Sequence, residues 1–191
     1  MINILYESYP TSVTIDNKVY QILTDFRDWI SFSEMISDTS VSKEDKLLFM
    51  LSWFPGEKPP VTAEMIKQLV SFFAVKEDIS ADVTENYSGR QKHPSFSFKY
   101  DAAYVLSDFL RYYQINLSHI EYLHWWEFQS LFKGLPDESQ TKKRISYRTT
   151  NLEEISDKKE RKRIRKIKLA LRLPSTEIDD EDIGAVFSSC M

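Results

Sequence analysis

Glycine, cysteine and long apolar runs are all scarce in this sequence, and each shortage excludes a class of protein. Only four of the 191 residues are glycine, and none forms the glycine-rich loop that cradles phosphates. The single cysteine, Cys190, excludes an internal disulfide and any site built from several thiolates. No segment has the pattern of a signal peptide or a membrane span. We therefore expect a cytoplasmic protein that does not enter a membrane.

The three histidines do not fall at a metal-binding spacing. His93, His119 and His124 form neither an HExxH motif nor any pair four residues apart, and no other residues complete a zinc-like ligand set around them. The sequence therefore predicts no metal site and no cofactor.

The residues that are present predict a mainly α protein. Aromatic residues make up 14% of the chain and charged residues 28%, which is typical of an ordered domain. Apolar residues recur at spacings of three and four in several segments, as in helices that bury one face. Residues 13–22 are the exception, because they alternate around Asp16-Asn17-Lys18 and indicate a hairpin. We expect a multi-helix bundle with a small N-terminal β-hairpin packed on it.

The patterns divide the chain into four parts. Residues 1–75 carry the hairpin and the first helices, and residues 76–94 are polar and indicate a flexible connection. Residues 95–174 form a second helical half that we expect to pack on the first. Residues 175–191 form an acidic tail.

The segment LHWWEFQSLFKGLP, residues 123–136, concentrates the aromatic residues. Ser118 and Glu121 have the spacing of a capping box, which predicts a helix beginning at residue 119. Gly134 and Pro136 predict its end. The double tryptophan is therefore expected on a helix that packs in the core.

Two features of this segment invite a functional interpretation. His124 and Glu127 could form a general acid/base pair, but catalysis would also need a nucleophile or electrophile that the sequence does not supply. We expect a structural contact and no enzymatic activity. Adjacent helical residues point about 100° apart, so we expect Trp125 in the core and Trp126 at an element boundary or partner surface.

Charge is segregated along the chain. Residues 1–141 hold 12 Lys and Arg against 20 Asp and Glu, residues 142–172 hold 13 against 4, and residues 173–191 hold none against 5. The acidic tail could fold back on the basic segment, or both could be solvated. The predicted helix at 157–172 could bind nucleic acid phosphates, although the net charge of −4 and the neighbouring acidic tail argue against this. A cationic face for a protein partner fits equally well.

Several motifs together resemble the bacteriophage Gp-fifteen family of Gram-positive siphophages and prophages. They are VTIDNKVYQILTDFRDWISF near the N-terminus, FKYDAAYVLSDFLRYYQINL, LHWWEF and DKKERKRIRKIK, so the resemblance covers roughly residues 1–172. The residues taken as its mark are Leu123, His124, Trp125, Trp126, Glu127, Phe128, Gly134 and Pro136.

The resemblance implies a non-enzymatic role in tail assembly. Such proteins are similar in gene context to tail assembly chaperones, encoded between the major tail protein and the tape measure protein. The expected partners are these two proteins, the expected location is the host bacterial cytoplasm, and a homo-oligomer is compatible with the role. The family supplies no catalytic residues. The partner contact is predicted at Tyr112, Trp126, Lys162, Arg163 and Lys166, and the alternative is a nucleic-acid-associated phage factor acting through residues 157–172.

Overall fold

A computed structural model describes residues 5–75 and 95–174. Within these ranges the chain forms seven α-helices and a two-stranded antiparallel hairpin, which confirms the predicted mainly α fold. None of the described helices is long and apolar enough to cross a membrane. The predicted connection at 76–94 and the acidic tail at 175–191 lie outside the described residues.

The hairpin forms where the sequence predicted it, and its turn residues explain why. Strand β1 (Ser12–Ile15) pairs with β2 (Lys18–Gln21). Asp16 and Asn17 adopt φ values of 48° and 63°, and Asp and Asn tolerate this left-handed region better than other non-glycine residues. Ile15 is fully buried, and β1 packs against the third helix of the chain.

Three helices follow within the first described range, each capped by a side chain at its N-terminus. Asp25, Ser42 and Thr62 each accept a hydrogen bond from a backbone N–H of the first turn, and such caps satisfy donors that the helix leaves free. The helices are α1 (Phe26–Ser37), α2 (Lys43–Met50), which continues into a 3₁₀ turn (Leu51–Trp53), and α3 (Ala63–Phe73).

Four helices make up the second range. They are α4 (Phe98–Tyr113), α5 (Trp125–Lys133), α6 (Gln140–Thr149) and α7 (Lys158–Ala170), with a 3₁₀ turn (Leu152–Glu154) before the last. Asp157 caps the basic helix α7. Neighbouring contacts run from α1 to α5, from α4 to α6 and from α6 to α7.

Helix α5 begins at Trp125, so the prediction of a helix from residue 119 was wrong. The Asn116 side chain accepts hydrogen bonds from the backbone N–H and hydroxyl of Ser118, 3.1 and 2.7 Å away. This Asx turn uses the serine that would have capped the helix. Arg27 of α1 then donates to the carbonyls of Leu117 and Ile120, which holds the following segment in a non-helical path.

Helix α4 buries two carboxylates beside its apolar residues Val105 and Phe109. Leu110 is 47% exposed, whereas Asp101 and Asp108 are 1% and 2% exposed. Asp108 accepts from the backbone N–H groups of Gln140 and Thr141, at 3.2 and 2.7 Å. A carboxylate at the N-terminus of α6 accepts hydrogen bonds from N–H groups that have no partner within the helix, and its charge is favourable beside the positive end of the helix dipole. The charged side chain is therefore stable inside the fold.

Asp101 is held by two arginines of α6. Arg148 binds it through two N–H groups at 2.6 and 2.9 Å, and Arg144 lies 3.4 Å away. Burial alone would raise the pKa of Asp101, but the hydrogen bonds from Arg148, from the Ser97 backbone and from Arg144 outweigh it and lower the pKa. The ionised pair therefore stabilises the fold above the unfolded pKa near 4, and this contribution is lost as pH falls through the lower folded value.

Breaking the Asp101 pair should destabilise the protein strongly. Asp101→Asn leaves the Arg148 guanidinium buried without its counter-charge, and removing one partner of a buried pair typically costs about 3–5 kcal/mol. Urea unfolding at neutral pH measures this loss. The control is Glu160→Gln, which breaks the exposed pair with Arg163 and should change little. Equal losses for the two variants would contradict the importance of the buried pair.

Candidate functional site

The segment at 123–136 lies where the N-termini of α1 and α5 meet. The Trp125 N–H donates to the Thr24 carbonyl at 2.7 Å, and the Phe26 N–H donates to the Leu123 carbonyl at 2.9 Å. The two chains are thus antiparallel at this point, immediately before each helix begins. This pairing fixes the start of α5 against the start of α1.

His124 caps α5 and ties the N-terminal segment to it. Its Nδ1 accepts from the Trp126 N–H at 3.1 Å, so the ring proton lies on Nε2, which donates to the Pro10 carbonyl at 3.0 Å. The Tyr9 ring stacks on the imidazole, with centroids 4.7 Å apart. Burial lowers the pKa of His124, and the hydrogen bond to Pro10 offsets this only in part. The neutral ring is therefore the form that the fold selects.

His124 and Glu127 do not form the acid/base pair considered from the sequence. Within the described residues both imidazole nitrogens are engaged, by Pro10 and by Trp126. Protonating Nδ1 would replace an acceptor with a donor facing the Trp126 N–H. The geometry therefore assigns His124 a structural contact.

Both tryptophans are buried, so the expected placement of Trp126 at a boundary or partner surface was wrong. Trp125 is 0% and Trp126 6% exposed. Their indole N–H groups donate to consecutive carbonyls at the end of α3, Trp125 to Phe73 at 2.9 Å and Trp126 to Phe72 at 3.0 Å. Side chains that diverge on α5 both reach the same helix end, because the last carbonyls of a helix lack i→i+4 partners and can accept from side chains. The Phe72 carbonyl also accepts from the Val75 N–H at 3.1 Å.

Phe128 lies at the centre of an aromatic stack. Its ring stacks on Phe26 at 5.0 Å, on Phe109 at 5.1 Å and on Trp125 at 5.7 Å. These rings belong to α1, α4 and α5, so residues from both described ranges share one core. Ring pairs in such offset arrangements add about 0.5–1.5 kcal/mol each beyond their buried area.

Helix α5 ends before Gly134, as predicted, and a larger side chain at this position would be crowded. A Cβ at this position would lie 3.2 Å from the Ser130 carbonyl oxygen and 3.3 Å from the Tyr113 hydroxyl. That hydroxyl donates to the Leu131 carbonyl at 2.8 Å, which closes the last turn of α5 against α4. The Pro136 carbonyl then accepts from the Ser139 N–H at 2.9 Å. The whole segment is a structural centre.

The other predicted contact residues separate into two places. Tyr112 is half-buried on α4, with the Arg111 guanidinium 5.4 Å from its ring centroid. Lys162, Arg163 and Lys166 are exposed on α7. The structure thus groups the three cations on one helix and leaves Trp126 in the interior.

The outward side of α7 carries a mainly positive surface, which we call the basic face. It consists of four cations and one apolar residue: Lys158, Lys162, Arg165, Lys166 and Leu169. All five are exposed, and their spacings of three and four place them on one side of the helix. Ile164, on the opposite side, is buried. Lys158, Arg165 and Leu169 were absent from the predicted contact set, although the helical period could have found them.

Lowering the pH should destabilise the protein through His124. The unfolded chain takes up a proton near pH 6.5, whereas the buried ring does so only at lower pH. The free energy of unfolding should therefore fall below about pH 6.5, by at most about 1.4 kcal/mol per pH unit from this group. Urea unfolding at pH 7.5 and 5.5 measures the effect.

His124→Asn isolates this contribution, because asparagine retains a capping oxygen and does not titrate. The variant should be less stable than wild type at pH 7.5, and the difference should shrink at pH 5.5. The exposed His119 provides the control, and His119→Asn should follow the wild-type profile. A constant difference between His124→Asn and wild type across this range would refute the role assigned to His124.

Comparison with known proteins identifies the family. The family model described as Bacteriophage Gp15 protein matches residues 5–173, a range that includes every described helix and strand. No curated protein and no solved structure matches the chain. The family match indicates a bacteriophage structural or assembly protein. On the basis of this match, the chain belongs to the bacteriophage Gp15 protein family.

Proposed function

We propose that this protein is a non-enzymatic tail assembly chaperone or tail accessory protein. In this role it binds the tape measure protein, the tail-tube subunits or both in the host cytoplasm while the tail is built. The observation that carries the proposal is the family match over residues 5–173, together with the tail-assembly role that the sequence resemblance implies.

The geometry at 123–136 supports binding in preference to catalysis. His124 and the two tryptophans are the residues of this segment that most suggested a catalytic or ligand-binding site. Their polar atoms form hydrogen bonds with backbone groups of the fold. A catalytic group has to reach a substrate atom within hydrogen-bond distance, and these groups point into packed interior.

Exposed surfaces of two kinds support a chaperone. A long, partly apolar helical partner has to be shielded from self-association, and exposed apolar residues together with charges can do this. On α2, Leu48 is 62% and Phe49 53% exposed. On α7, the exposed cations include Lys162, Arg163 and Lys166. The proposed contacts are these residues and Tyr112, which is half-buried.

Co-expression with the tape measure protein of the same phage tests the role. We expect a several-fold increase in the soluble tape measure protein and a complex that co-purifies. The triple variant Lys162→Ala, Arg163→Ala, Lys166→Ala should weaken the complex. The matched control replaces three exposed lysines elsewhere, Lys43, Lys67 and Lys99, and should retain it. If wild type neither raised the soluble yield nor co-purified, the chaperone role would be abandoned.

The basic face also favours a second candidate, a nucleic-acid-associated phage factor. Phosphate binding by lysine and arginine releases counterions, so the affinity should fall steeply as salt rises. Fluorescence anisotropy with labelled duplex DNA and with RNA measures this dependence. A shallower salt dependence in the Lys162, Arg163, Lys166 variant would support the candidate. The absence of binding at low salt would exclude it.

A further inference from the structure

The cations of the basic face have no counter-charge among the described residues. No hydrogen bond or ion pair joins the side chains of Lys158, Lys162, Arg165 or Lys166 to another described residue, whereas Arg163 on the same helix pairs with Glu160 at 2.7 Å. Lys158, Lys162 and Lys166 are four residues apart in succession, and like charges at this spacing repel one another. An anionic occupant would remove that repulsion.

The sequence places a matching segment directly after this helix. Residues 177–183 read EIDDEDI and hold five carboxylates, and no lysine or arginine occurs from 173 to 191. Two isoleucines flank the acidic run, and the basic face carries one exposed apolar residue, Leu169, which is 56% exposed. The segment and the face are thus complementary in both charge and apolar character.

The acidic segment can reach the whole face. Leu173 is buried, and the Leu171 carbonyl accepts from the Arg148 Nε–H at 2.7 Å, so the last described residues lie close to the C-terminal end of α7. Eight residues, 175–182, span up to about 26–29 Å when extended. The thirteen residues of α7 extend only about 20 Å. Since the two are joined by so few residues, the effective concentration of the segment at the face reaches the millimolar range.

We propose that residues 177–183 dock on the basic face of their own chain. The docked segment competes with any acidic partner for the same cations, so a partner has to displace it. Exposed ion pairs are individually weak and screened by salt, which makes the contact reversible. This inference goes beyond the proposed function, because docking within one chain does not depend on any role in tail assembly.

Zero-length carbodiimide cross-linking of the full-length protein tests the docking directly. This reagent joins a carboxylate to a lysine amine only when the two are in contact, and mass spectrometry identifies the pairs. Tail carboxylates should cross-link to Lys158, Lys162 or Lys166 several-fold more than to the exposed lysines Lys43 and Lys99. The preference should disappear when salt rises from about 0.1 M to 1 M, since the Debye length falls from about 10 Å to about 3 Å.

Mixing isotopically labelled and unlabelled protein separates contacts within a chain from contacts between copies. The proposal expects pairs of one isotopic composition. In an equimolar mixture, a tail that docks on a second copy would give mixed and unmixed pairs in about equal amounts, and that result would overturn the proposal. An even distribution over all exposed lysines would overturn it in favour of a solvated tail.

A competition experiment checks the consequence for binding. The probe is a fluorescein-labelled hexaglutamate peptide, and neutralising the acidic segment should raise its affinity for the full-length protein several-fold. The variant combines Glu177→Gln, Asp179→Asn, Asp180→Asn, Glu181→Gln and Asp182→Asn. A control with the same change in net charge combines Glu34→Gln, Glu44→Gln, Glu121→Gln, Asp137→Asn and Glu138→Gln. If the two variants bound the probe equally well, the gain would come from net charge alone and the proposal would fail.

Discussion

The antiparallel pairing of residues 24–26 with residues 123–125 is the constraint on which the rest of the fold depends. Two backbone hydrogen bonds join these stretches, although almost a hundred residues separate them in the chain. Each stretch immediately precedes a helix, so the pairing sets where α1 and α5 begin and how they face one another. Asp25 strengthens the junction, because it caps α1 and its other carboxylate oxygen lies 3.3 Å from the Leu123 N–H.

This placement of α5 determines which hydrogen bonds the polar groups of the aromatic core form. Once α5 begins at Trp125, both indoles reach the end of α3, and the imidazole of His124 reaches the segment before the hairpin. Buried N–H groups without partners are costly, so each of these bonds permits a large ring to be buried. Three elements of the first described range are thereby fixed to one short helix of the second. Inside the second range, hydrogen bonds to Asp101 and Asp108 fix α4 to α6 in the same way.

The parts of the fold that sequence reasoning predicted are those with local causes. The Asp16-Asn17 turn and the stop at Gly134 depend on residues close to them in the chain. The caps at Asp25, Ser42, Thr62 and Asp157 are equally local. The start of α5 could not be predicted in this way. It depends on Arg27, which lies some ninety residues away, and on an Asx turn at Asn116 that competes with the capping box.

The spacing of apolar residues also did not predict which charged side chains are buried. Asp101 and Asp108 lie inside the fold because α6 supplies arginines and an N-terminus, and a single sequence does not reveal that partnership. The sequence also wrongly predicted Trp126 at a boundary or partner surface, because its burial depends on the carbonyls at the end of α3, which lie far away in the chain. The cations of α7 are different, because helical spacing alone identifies the face that they share.

The segment that suggested a functional site in the sequence forms the structural centre of the fold. Under the proposed function, partner binding would fall to exposed surfaces such as the basic face and α2, while the interior stays rigid.

Native-state hydrogen exchange tests the central claim, that residues 123–136 are the structural centre of the fold, most directly. If the claim is correct, the backbone N–H groups of Trp125, Trp126 and Phe128 exchange only through global unfolding, with the same denaturant dependence as the most protected amides of α4. If these amides exchanged through a local opening while α4 stayed protected, α5 would be a separable element and the claim would be contradicted.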